Sequence, residues 1–265
     1  DAFDCNKKIT IYGDYDADGV TSTSILYKFL KSAGCDVNYY IPNRFDEGYG
    51  LNKDALDEII KYGSKLVITV DCGISSIEEV EYCKKSGADI IITDHHECGS
   101  AIPDTLVINP KRKDSVYPFS ELSGAGVAFK LIEALSGEFN DTDAYEYIDL
   151  VSIGTIADIV PLVDENRVLV KYGLEKIRNT KNYGITALAE TAGILLESIT
   201  SRQVGYTLAP RINAAGRMGS AKAAVKLFTT DDKTEALKLS RMLCDANSER
   251  QKIEEKIFNE ADEMI

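Results

Sequence analysis

The chain has 265 residues, 44% of them hydrophobic, enough for one large domain or two modest ones around a buried core. Thirty Lys and Arg against 43 Asp and Glu leave a net charge of −13, which excludes a protein that holds nucleic acid or anionic membrane by overall charge; any such contact has to be local. No apolar run reaches the roughly 18 residues of a spanning helix, and Asp1-Ala2-Phe3-Asp4-Cys5 has neither the basic region nor the apolar core of an export signal. Six scattered cysteines without a C-x-x-C pair read as reduced, mostly buried thiols of a cytoplasmic protein. The chain begins without Met and ends inside a helical pattern, so it is expected to be a segment of a longer protein.

In chain order, short apolar runs at Ile9–Tyr12, Val37–Ile41, Lys65–Val70 and Asp89–Thr93 alternate with amphipathic stretches at about 20–33, 52–62 and 75–86. This predicts a doubly wound α/β fold with a mainly parallel sheet. Gly34, Gly63 and Gly87 fall just past the three helices, where a helix C-terminus favours glycine. After Leu106-Val107-Ile108 the strand signal fades, and 124–228 reads mainly as helices separated by Gly and Pro. From Lys233 onward Ala236, Leu239, Leu243, Ala246, Ile253, Ile257, Ala261 and Met264 keep a three-to-four residue spacing, predicting one long helix.

Open parallel sheets collect functional groups beyond the carboxyl ends of their strands. Three predicted strands here run into acid: Asp14-Tyr15-Asp16-Ala17-Asp18-Gly19, Asp71-Cys72-Gly73 and Asp94-His95-His96. Any one Asp after a strand is commonly a helix N-cap. Three sets at one sheet edge repel unless cations neutralise them, and the chain's only two histidines stand in the third set. Imidazole beside carboxylate suits Mn²⁺ better than Ca²⁺. A strand followed by Asp-x-Asp also opens haloacid-dehalogenase-type phosphatases, and receiver domains place acids at strand ends; neither explains the paired histidines together with Asp71. Asp18 and Asp94 read as supporting or turn-capping acids. Arg44, Arg211 and Arg217 lie in Gly/Pro/Asn-marked segments read as loops, placed either to grip phosphate or to form surface ion pairs. Asn213 fits a phosphate contact or a turn cap. Gly124-Ala125-Gly126 fits an anion-binding amide cluster or a tight turn. Tyr15, Phe45 and Tyr49 are candidates to stack bases.

These three segments and Gly154-Thr155-Ile156-Ala157-Asp158-Ile159-Val160-Pro161 resemble the successive signatures of the DHH phosphoesterase superfamily. Pro42-Asn43-Arg44-Phe45-Asp46-Glu47-Gly48-Tyr49-Gly50-Leu51, Ser123-Gly124-Ala125-Gly126-Val127-Ala128-Phe129-Lys130 and Ala209-Pro210-Arg211-Ile212-Asn213-Ala214-Ala215-Gly216-Arg217-Met218 make it most similar to the RecJ family of single-strand-specific DNA exonucleases. The resemblance implies hydrolysis of single-stranded DNA from the 5′ end with two divalent cations, Mn²⁺ or Mg²⁺, and water as nucleophile. It assigns Asp14 and Asp16 to different ions, Asp71 as the bridge, and His95 and Asp158 to the second site. His96 and Asp71 become the catalytic residues; Arg44, Arg211, Asn213 and Arg217 become substrate contacts. It further implies a catalytic domain over 1–230, with an α/β core to about 120 and a helical part from 121, then a helix over 231–265 leading to a second lobe. Small-substrate phosphoesterases acting on nano-RNA or pyrophosphate share the metal motifs, and non-catalytic scaffold relatives share the fold. Two departures stand out: Tyr12 occupies a position where many members carry His, and the Gly-Gly-His signature of the family's second domain is absent.

Overall fold

The computed structural model describes residues 2, 5–44, 47–139, 142–217 and 221–264. Five parallel strands form one sheet: β1 (Ile9–Tyr12), β2 (Val37–Tyr40), β3 (Leu66–Val70), β4 (Asp89–Thr93) and β5 (Leu106–Ile108), in the order β2-β1-β3-β4-β5. The short run at 106–108 is thus the sheet's edge strand. Strand residues alternate between two apolar cores, as a two-residue repeat requires. Ile9, Ile11, Ile68 and Val70 face one side; Tyr12, Val67, Ile90 and Ile92 face the other.

On the second side lie α2 (Lys53–Lys61) and α3 (Ile77–Lys85), which bury Leu56, Ile59, Val80 and Cys83. On the first side lies α1 (Ala17–Ser32), covered by α4 (Gly124–Ser136), α5 (Ile148–Ala157) and the later helices. Helix α1 begins before the expected residue 20 because the Asp16 side chain accepts the Gly19 amide and caps it. Its polar stretch Thr21-Ser22-Thr23-Ser24 is buried, and each hydroxyl donates to a carbonyl four residues back. That is why a weakly apolar sequence makes a buried helix.

The helical region continues through α6 (Asp164–Ile177), α7 (Tyr183–Thr191) and α8 (Ser201–Gln203). A π-helical turn (Val204–Leu208) leads from α8 into α9 (Ala209–Arg217), followed by α10 (Ala221–Thr229) and α11 (Lys233–Asp262). Arg211, Asn213 and Arg217 therefore sit on a helix and not in a loop. Pro210 follows directly on the π-helical turn, where the regular hydrogen-bond ladder is already interrupted and a missing N–H is tolerated. Helix α11 packs its first half on α7, α9 and α10 through Ala236, Ser240, Leu243 and Asn247, whereas residues 251–264 are exposed throughout.

All six cysteines are free thiols, but only Cys72 and Cys83 are buried; Cys35, Cys98 and Cys244 are partly covered and Cys5 is exposed. Among the described residues no helix is long and apolar enough to cross a membrane.

Candidate active site

Strand register places the acids. Tyr12 of β1 pairs with Thr69 of β3, and Thr69 pairs with Ile92 of β4. Asp14, Asp71 and Asp94 each follow two residues later, so they emerge at one level of the carboxyl edge. The chain order reverses between β1 and β3, and that switch point opens the crevice. Asp71 holds φ at 61° and Gly73 at 106°, so the backbone turns sharply beneath the Asp71 side chain. For a non-glycine residue this conformation costs about 1–3 kcal/mol, a strain typical of functional positions. Ile159 is held at φ 61° immediately after Asp158, where α5 ends.

Among the described residues three triads bring their ligand atoms within 4.8 Å of one another: Asp14 with Asp16 and Asp71, Asp18 with His95 and Asp158, and Asp71 with His95 and His96. His95 Nε2 lies 3.1 Å from Asp71 Oδ1, 3.6 Å from Asp158 Oδ2 and 3.8 Å from Asp18 Oδ2. Among the described residues, Asp71 Oδ1 and both ring nitrogens of His95 are buried without a hydrogen-bond partner. Buried polar atoms are normally satisfied, and a set of lone-pair donors left open together fits divalent cations.

The electrostatics agree with that fit. Burial, with neighbouring carboxylates adding to it, pushes the Asp14, Asp18 and Asp158 carboxyls up to about 7 and lifts Asp71 well above the usual carboxylate range. Burial also lowers the basicity of His95, leaving the neutral ring a metal requires. His96 is raised instead, chiefly by its hydrogen bond to Asp94. Asp94 accepts His96 Nδ1 at 2.7 Å and the amides of Ile74, His95 and His96; despite the burial that pushes it up, these bonds hold it below the ordinary range. Asp94 thus orients His96, not His95.

Asp18 is buried, and its two oxygens accept the amides of Gly124 (2.6 Å) and Ala125 (2.9 Å) at the start of α4. Of the two readings of Gly124-Ala125-Gly126, the structure forms the amide cluster, from the amides of Gly124 and Ala125, and its anion is a carboxylate of this same chain; the Gly126 amide turns to Ser123 Oγ. The sequence placed Asp18 behind the ligand set, whereas the geometry puts it in a triad with His95 and Asp158, residues so far along the chain that no local spacing signals the meeting. Asn213 Oδ1 accepts the Ala17 amide at 2.7 Å, tying α9 to the first turn of α1.

A cavity of about 280 Å³ opens beside Asp14, Asp16 and His96, lined further by Tyr15, Arg44, Tyr49, Asn213 and Arg217. The Arg44 guanidinium lies over the Tyr15 ring, 5.2 Å from its centroid, and the Tyr49 hydroxyl stands 3.4 Å from His96 Nδ1. Arg211 is not among the lining residues; it donates from Nη1 to the Thr207 carbonyl within its own helical segment. Phe45 falls outside the described residues. Tyr12 is fully buried, donates to the Gly50 carbonyl and belongs to none of the triads.

A parallel-sheet protein with carboxylates and imidazoles converging at a switch point is built like a metal-dependent hydrolase. The chain belongs to the DHH family: residues 8–155 match the DHH family, N-terminal domain. It is 47% identical over 260 residues to the single-stranded-DNA-specific exonuclease RecJ of Bacillus subtilis, covering 98% of this chain and 33% of that protein. It is 41% identical over 249 residues to RecJ of Thermus thermophilus, covering 94% of this chain and 36% of the relative. The crystal structure of exonuclease RecJ bound to manganese superposes with a TM-score of 0.90 at 40% identity, over 97% of this chain and 65% of that one. The chain therefore spans about a third of these two relatives.

Proposed function

We propose that this chain carries the catalytic site of a RecJ-type exonuclease, which hydrolyses single-stranded DNA from the 5′ end with two divalent cations, Mn²⁺ or Mg²⁺. The observation that carries the reading is the buried set of unsatisfied atoms, Asp71 Oδ1 with both nitrogens of His95, among carboxylates that repel one another. The names of the relatives, single-stranded-DNA-specific exonucleases, supply the substrate, and a RecJ structure bound to manganese supports the metal.

In this reading Asp14, Asp16, Asp71, His95 and Asp158 hold the cations, with Asp18 added by its place in a triad. The cations, when bound, polarise the phosphodiester and lower the pKa of water. Asp71 is shared between two of the triads and so links them. His96, oriented by Asp94 and half-exposed beside the cavity, faces the phosphate and offers it a proton or a positive charge. Arg44, Arg217 and Asn213 bind phosphate oxygens along the cavity, while Tyr15 and Tyr49 offer ring faces and edges to a base. Residues 1–230 act as the catalytic unit and 231–265 as the helix leading to a second lobe. The exposed Ile253, Ile257 and Phe258 of α11 support that arrangement.

The test is hydrolysis of 5′-phosphorylated oligonucleotides of graded length against inorganic pyrophosphate at fixed Mn²⁺. Mononucleotide release from the 5′ end is expected. Preferential pyrophosphate hydrolysis, or no Mn²⁺-dependent hydrolysis of DNA, overturns the reading.

A further inference from the structure

The loop joining β2 to α2 brings Arg44 and Tyr49 to the cavity, and a carboxylate that does not line the cavity holds that loop. Glu47 Oε1 accepts the Asn43 amide at 2.8 Å; Oε2 accepts the Tyr40 hydroxyl at 2.7 Å and Asn52 Nδ2 at 3.0 Å. The Glu47 amide returns a bond of 2.8 Å to the Asn43 carbonyl. The donors come from the last residue of β2, from the loop one residue before Arg44, and from the N-cap of α2. Asn52 Nδ2 also reaches the Tyr12 hydroxyl at 3.2 Å, and that hydroxyl donates to the Gly50 carbonyl at 3.0 Å, one residue after Tyr49. Tyr12 is buried and stacks on Tyr40 with ring centroids 5.4 Å apart.

The backbone beside Arg44 and the backbone beside Tyr49 are therefore tied to the sheet by one connected set of hydrogen bonds, with Glu47 at its junction. Only a carboxylate presents acceptors alone on both arms, which is what three donors demand. Although burial acts to raise it, the amide and hydroxyl bonds hold the pKa of the Glu47 carboxyl below the usual carboxylate range, so the acceptor form is favoured. Arginine and tyrosine reach a ligand productively only if their backbone is fixed beforehand, since ordering it on binding costs conformational entropy.

We propose that Glu47 is a positioning residue: through this network it fixes the reach of Arg44 and Tyr49 over the cavity without touching the substrate. The proposal rests on the nuclease reading given above for what the cavity binds.

Glu47→Gln keeps the size of the side chain and turns one acceptor into a donor facing a donor. Cleavage of a short 5′-phosphorylated oligonucleotide by the 265-residue chain with Mn²⁺ is expected to show KM raised about tenfold with kcat within about twofold. Added to Arg44→Ala, Glu47→Gln is expected to cause a smaller loss than it causes alone, the remainder being the part that acts through Tyr49. Hydrogen exchange of the amides at 43, 44 and 47–50 is expected to quicken, with α2 unchanged. An unaltered KM, a loss confined to kcat, or full additivity with Arg44→Ala overturns the proposal. If the unsubstituted chain cleaves no DNA, the nuclease reading falls, and hydrogen exchange still decides: unchanged exchange of these amides in Glu47→Gln overturns the network's hold on the loop, and quickened exchange sustains it.

Discussion

Gly124 stands against Asp71 so closely that a β-carbon on it would lie 2.5 Å from Asp71 Oδ1 and 2.7 Å from Asp71 Cβ. The start of α4 can reach the carboxyl edge of the sheet only because that position has no side chain. Its amide then bonds Asp18, so one glycine serves two acids of the site.

Gly124→Ala should therefore displace Asp71 and loosen Asp18 together. Supporting residues of metal sites commonly govern affinity by about 10–100-fold, and a loss of at least about tenfold in Mn²⁺ affinity is expected. Overpacking should also cost about 1–3 kcal/mol of stability. Titration calorimetry and thermal unfolding read the two effects; unaltered Mn²⁺ affinity in a folded variant would show that α4 does not shape the centre.

Asp71→Ala removes the carboxylate shared by two triads. Mn²⁺-dependent cleavage should fall by about a thousandfold or more, since charge stabilisation of several kcal/mol is at stake and each decade of rate is about 1.4 kcal/mol. The fold should survive without metal, because the surrounding carboxylates lose a repulsive neighbour. The melting temperature in chelator should match or exceed that of the unsubstituted chain. Wild-type turnover in this variant contradicts the metal assignment.

The raised carboxyls give a pH dependence with a defined sign. Asp14, Asp18 and Asp158 titrate near 7 in the fold against about 4 in an unfolded chain. Between these values the folded state binds more protons than the unfolded state, so stability of the metal-free protein falls as pH rises from about 4 through about 7. Divalent cations must displace those protons, so their affinity rises over the same window and binding at about pH 6.5 releases protons. Thermal unfolding in chelator across this range, and calorimetry in buffers of differing ionisation enthalpy, check both halves. A metal-free protein that gains stability from pH 5 to 7 would count against buried, mutually repelling acids.

Arg217 lines the cavity on an exposed position of a chain whose net charge is −13. Few phosphate contacts mean a shallow dependence of log affinity on log salt, and Arg217→Ala should reduce the slope by about 0.7 for the single-strand contact removed. Binding of a fluorescent oligonucleotide at several salt concentrations measures it. An unchanged slope takes Arg217 off the phosphate path.

The sheet was legible in the sequence because strand alternation, the helix-ending glycines and an acid directly after a strand are local signals carried by adjacent residues. Asp14, Asp71 and the Asp94-His95-His96 run could be read as one edge for that reason. The resemblance to the DHH superfamily was needed for Asp158, which closes α5 far along the chain and carries no periodic mark.

Sequence alone thus determined the parallel core, the long final helix and the acids at three strand ends, since each depends on neighbours along the chain. Tertiary structure decided what meets in space. Asp18 accepts amides 106 and 107 residues away, and Asn213 caps a helix start 196 residues earlier. Arg211 turns back to Thr207, and Tyr12 gives its hydroxyl to a loop carbonyl. A side chain's hydrogen-bond partner is set by how separate elements pack, and spacing along the chain holds no record of it.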